Sequence, residues 1–141
     1  MFRRSLVLAS FAVMFAGTAS AATVKYSAAL NAAAEVPPGK STGTGEATAS
    51  LDTATHELSY DVTFKGFESD VTAAHIHGPA EAGKNAGVLV PLGSAPKSPI
   101  HGTAKLTPEQ EQQLAGGMMY VNIHTKDNPG GAIRGQLVKA K

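Results

Sequence analysis

The chain has 141 residues, 12 Lys and Arg against 11 Asp and Glu, 43% hydrophobic residues and no cysteine. That length suits one domain after removal of a leader, and about 120 residues can bury enough core to stand without disulfides. A near-neutral chain without a basic cluster is a poor partner for nucleic acid or anionic membrane, and the lack of thiols restricts any metal site to imidazole and oxygen ligands.

The first segment reads as a leader. Met1-Phe2-Arg3-Arg4 is a short basic start, Leu6 to Phe15 is an apolar run broken only by Ser10, and Ala19-Ser20-Ala21 is a small-x-small cleavage site. This predicts a secretory signal peptide over residues 1–21, a domain over residues 22–141, and a secreted or periplasmic location. The apolar run is too continuous for a mitochondrial presequence and too short for a spanning helix, and no later segment is long enough to cross a bilayer. No cysteine follows the cleavage site to carry a lipid anchor. Without Arg3 and Arg4, ten basic residues face eleven acidic ones.

Val24 to Ala28 opens with a β-type stretch, which Glu35-Val36-Pro37-Pro38-Gly39 breaks, because two prolines followed by glycine cannot continue a central strand. Glu46 to Leu51 alternates weakly. Leu58, Tyr60, Val62 and Phe64 then alternate with Ser59, Asp61, Thr63 and Lys65, the clearest half-buried strand in the chain. Val71 to His77 predicts the next strand, cut by Gly78-Pro79. Residues 78–99 are rich in Gly and Pro and predict a long surface loop with a short apolar stretch, Val88-Leu89-Val90, inside it. Ile100 to Leu106 predicts a strand. Thr107 as cap, Pro108 at the first helical position and Gln110 in a capping box then start a short helix, and Gly116-Gly117 stops it. Met118 to Thr125 and Ala132 to Val138 close the chain as two strands around a tight turn. Seven or eight short strands, one helix and regularly spaced turns predict an all-β Greek-key sandwich. Its expected core holds Leu30, Leu51, Leu58, Tyr60, Val62, Phe64, Ile76, Leu106, Leu114, Val121, Ile123, Ile133 and Leu137.

The histidines carry the chemistry. In Ala74-His75-Ile76-His77-Gly78-Pro79, residues i and i+2 of a strand point to one face, so His75 and His77 project side by side. A third, His124, stands in Tyr120-Val121-Asn122-Ile123-His124-Thr125. If those strands are neighbours, three neutral nitrogens converge into the minimal shell of a copper or zinc site, with copper favoured by affinity order. The plainer reading is that the histidines bond to backbone and hold the long loop in place. His101, beside Gly102, is either a fourth ligand or a solvent-facing side chain, and His56 lies in a polar turn. Arg134, between Ile133 and Gly135, can draw an anion toward a metal or tie down Asp127 or the turn carbonyls. Tyr120 and Asn122 share the face of His124 and can orient an imidazole, although Tyr120 also reads as ordinary core. Glu35 has no partner visible in the sequence. No serine sits in a nucleophile elbow, and Asp61, Glu68 and Asp70 read as solvated residues rather than a catalytic pair.

Glu35-Val36-Pro37-Pro38, Ala74-His75-Ile76-His77-Gly78-Pro79-Ala80, Ser98-Pro99, Leu106-Thr107, Tyr120 to Thr125, Asn128-Pro129-Gly130-Gly131 and Ile133-Arg134-Gly135-Gln136-Leu137 together resemble the CHRD (chordin-type) domain over nearly the whole mature chain. The resemblance implies a small secreted domain, with two departures: the family usually carries a glutamate where this chain has Ala132, and a small residue where it has His101. A weaker similarity is to the copper/zinc superoxide dismutases, which present a His-x-His strand, a later ligating histidine and an arginine before the last strand. His75, His77, His124 and Arg134 fall in that order. That likeness implies a superoxide-dismutase-like or immunoglobulin-like sandwich and a copper site. The bridging histidine, zinc loop and disulfide of those enzymes have no counterpart here. Three readings stand at this point: a metal-binding domain that holds copper, an envelope module that binds protein or glycan with structural histidines, and a dismutase-like enzyme.

Overall fold

Leu58 and Val62 are fully buried on one side of the segment from Glu57 to Lys65, while Ser59 and Thr63 face solvent, as a two-residue period requires. In the computed structural model, which describes residues 20–141, this segment is the third of nine strands. They are β1 (Thr23–Leu30), β2 (Thr44–Asp52), β3 (Glu57–Lys65), β4 (Val71–His77), β5 (Val88–Ser94), β6 (Ile100–Lys105), β7 (Tyr120–Thr125), β8 (Ile133–Gln136) and β9 (Val138–Lys139), with one α-helix, α1 (Pro108–Ala115), and a single 3-10 turn over Ala32–Ala34. Residues 1–19, which hold the basic start and apolar run of the predicted leader, lie outside the described residues. No helix among the described residues is long and apolar enough to cross a membrane.

The strands form two antiparallel sheets, one in the order β6-β3-β2-β1-β9 and the other β5-β4-β7-β8. The chain leaves the first sheet after β3, forms the β4–β5 hairpin in the second, and returns as β6 beside β3, a Greek-key return. The inner faces meet in one core that includes Tyr26, Leu30, Leu51, Leu58, Val62, Ile76, Val121, Ile123, Ile133 and Leu137. At about 25 cal/mol per Å² of apolar surface, this burial is the main force holding the sheets together.

Several features differ from the sequence reading. Residues 88–94 are not part of a loop: they form β5 on the edge of the second sheet. Val90 and Leu92 are buried there, and Pro91 sits where an edge strand tolerates a missing donor. The expected last strand is two, because the chain crosses from one sheet to the other at Leu137, whose side chain is 1% exposed. Tyr60 and Phe64 are only half-buried at the rim near edge strand β6, whereas Tyr26 and Met119 fill core positions. The helix begins as predicted. Thr107 accepts from the Gln110 backbone N–H at 3.2 Å, and the Gln110 side chain accepts from the Thr107 N–H at 2.9 Å.

Candidate metal centre

Alternation along β4 puts Ala74 and Ile76 into the core and leaves His75 and His77 on the outer face of the four-stranded sheet. Along β7, Val121 and Ile123 face the core, so Tyr120, Asn122 and His124 share that outer face. The antiparallel register sets His75 opposite Asn122, His77 opposite Tyr120 and Ala73 opposite His124, so His124 is the diagonal neighbour of His75. Register shifts against β5 fall between Ala74 and His75 and again between Ile76 and His77, local irregularities that re-aim side chains.

The three imidazoles meet. Each offers a ring nitrogen such that all three atoms lie within 4.8 Å of one another. His75 Nδ1 is 3.0 Å from His124 Nε2. Two nitrogens bonded to one ion at about 2.0–2.1 Å are about 2.9 Å apart at a right angle and about 3.3 Å apart at a tetrahedral angle, so this pair has the spacing of ligands to a common ion. The outward nitrogens are fixed. His77 Nδ1 donates to the Ala86 carbonyl at 3.0 Å, and His124 Nδ1 donates to the Pro129 carbonyl at 2.9 Å. Each bond selects the tautomer with an unprotonated Nε2, and that of His124 accepts from His75 Nδ1. His77 Nε2 is buried and meets no hydrogen-bond partner. Burial lowers the His77 imidazole below the usual histidine value. It also lowers that of His75, where the neighbouring His124 and His77 add to the effect. Both are therefore neutral near pH 7, the form that binds a metal.

The surroundings are polar and ordered. Tyr120 stacks on His77 with ring centroids 4.9 Å apart and planes at 4°. The Arg134 guanidinium carbon lies 3.4 Å from the Tyr120 centroid. Arg134 is 1% exposed and donates to Asn85 Oδ1 at 3.1 Å and the Lys84 carbonyl at 2.7 Å, so it ties down the loop after β4 rather than facing solvent or bonding Asp127. Asn122 donates to the Glu35 carboxylate and, at 2.9 Å, to the Ile133 carbonyl. Glu35 is 7% exposed, and burial pushes its carboxyl above the usual range against the opposing pull of Asn122 and Arg134.

His101 stands apart from this group. It lies on β6 in the other sheet, exposed, with Nδ1 2.6 Å from Asp61. His56 is exposed and pairs with Glu111. Sequence reasoning did not find the partner of Glu35 or the roles of Ala86 and Pro129. The last two act through main-chain carbonyls, which no side-chain pattern reveals. For Glu35 the available signal was a lone carboxylate between a run of alanines and a diproline.

The fold and the cluster define an all-β sandwich domain with three histidines converging on one outer sheet face. The family model for the CHRD domain matches residues 26–137, and the chain belongs to the CHRD domain family. Searches of curated proteins and of solved structures each found no significant match.

Proposed function

We propose that this CHRD domain is exported and binds a single copper ion through His75, His77 and His124, holding or buffering the ion rather than turning over a substrate. The observation that carries the reading is the buried, unpartnered Nε2 of His77. An acceptor left without a bond in a low-dielectric site costs about 1–3 kcal/mol, and an ion shared with two neighbouring imidazoles offsets that cost. The three side chains offer imidazole nitrogens, which suit copper and zinc, and at equal geometry affinity order places copper first. The ligand set has no thiol to be oxidised, which fits an oxidising compartment. When bound, the ion would supply a Lewis-acid and redox-capable centre, and the Ala86 and Pro129 carbonyls fix the direction of the His77 and His124 lone pairs.

The test is titration of chelator-treated protein with Cu(II) and Zn(II). The expected result is saturation at about one ion per chain, with tighter binding of copper, and loss of that binding in the His75→Ala, His77→Ala double variant. Unchanged copper stoichiometry in the double variant removes the reading. Capture of a protein or glycan from envelope extract that survives chelation would instead support the module with structural histidines.

A further inference from the structure

The loop from Ala80 to Gly87 crosses the outer sheet face as a strap, and it has no large apolar side chain to hold it there. Residues 81–85 are all exposed. Polar bonds hold it instead. Arg134 grips it at the Lys84 carbonyl and the Asn85 side chain. The Tyr120 hydroxyl grips it at Ala86, accepting from the N–H at 3.0 Å and donating to the carbonyl at 3.2 Å. The same Ala86 carbonyl accepts from His77 Nδ1. Strand β7 lies between β4 and β8, so the Tyr120 ring receives His77 from one neighbouring strand and Arg134 from the other.

We propose that Tyr120 and Arg134 are positioning residues for His77: together they place the Ala86 carbonyl that holds the His77 ring with Nδ1 protonated and Nε2 turned toward the ion. This rests on the three-histidine metal reading and adds which residues choose the ligating nitrogen. A neutral imidazole has two tautomers, and a fixed carbonyl acceptor favours the one that donates to it. The carbonyl belongs to an exposed strap, so its place depends on what the strap is bonded to. Arg134 and Tyr120 are both buried and are carried on strands of the sheet, a rigid base for that task.

The experiment has a metal-free arm and a copper arm. In ¹⁵N-labelled, metal-free protein, long-range imidazole proton–nitrogen spectra read the tautomer of each ring. The wild type is expected to show His77 as the Nδ1–H form. Tyr120→Phe keeps both ring faces and loses only the hydroxyl. Asn85→Ala removes one Arg134 acceptor from the exposed strap, together with the donation from Asn85 to the Val36 carbonyl at 3.0 Å, without touching the core. Both variants are expected to show mixed His77 tautomers, a copper affinity lower by about 10-fold, and an altered nitrogen hyperfine pattern in the Cu(II) electron paramagnetic resonance spectrum. Arg134→Gln should behave likewise, with partial recovery in Arg134→Lys. If Tyr120→Phe and Asn85→Ala keep the wild-type tautomer and copper affinity, the positioning role is overturned and the metal reading stands. If the wild type takes up no copper, the metal reading fails, and the metal-free spectra still decide what holds His77.

Discussion

Gly131 decides whether Glu35 and Asn122 can meet. It adopts a φ of 136°, and a Cβ added there would stand 2.6 Å from both Glu35 carboxylate oxygens and 2.7 Å from Asn122 Nδ2. Gly131→Ala therefore forces the carboxylate and amide apart in a buried place. A loss of about 2 kcal/mol is expected in denaturant unfolding, with an unchanged dependence on denaturant concentration. At this scale the sequence was informative wherever a side-chain period was enough: the spacing of His75 and His77, and the shared face of Tyr120, Asn122 and His124, follow from alternation alone. The Ala86 and Pro129 carbonyls that direct two of those rings are set by loop paths 9 and 5 residues away in the chain, which alternation does not encode.

The elements were legible in proportion to the strength of their local signals. Capping residues marked the start of α1 to the residue, and its cap gives a quantitative expectation. Thr107→Ala removes the acceptor for the Gln110 N–H and should cost about 1 kcal/mol in thermal or chemical unfolding. Thr107→Ser should retain most of that stability, since the hydroxyl persists. Strand β5 was hidden because glycine and proline dominate its surroundings. Its position at the sheet edge explains why Pro91 and Gly93 are tolerated there. The division of the last strand at Leu137 was also invisible, because the apolar pattern continues while the backbone changes sheets. Leu137 stays buried in the shared core on both sides of that change, so its hydrophobicity carries no mark of the switch.

At the scale of the whole molecule, two strands from distant parts of the chain become neighbours because the four-stranded sheet pairs β4 with β7. Strand number and turn spacing announced a sandwich, but pairing order is a long-range property, and on it depended whether His124 reaches the doublet. The same packing buries Glu35 and so links global stability to pH. Its carboxyl holds its proton to a higher pH in the folded protein than in the unfolded chain, where the ordinary value is 4.5. Its contribution is therefore full below that value and is lost as pH rises through the folded value. Glu35→Gln keeps an acceptor for Asn122 and cannot ionise. Its stability relative to wild type is expected to increase as pH rises from about 4 toward 7. A constant difference across that range, read from unfolding midpoints, would contradict the account of Glu35. The most direct measurement of the central claim is elemental analysis of the protein isolated from its own compartment without chelators. About one copper per chain is expected, absent from the His75→Ala, His77→Ala variant prepared in parallel; metal-free wild-type protein, or equal copper in both, would contradict it.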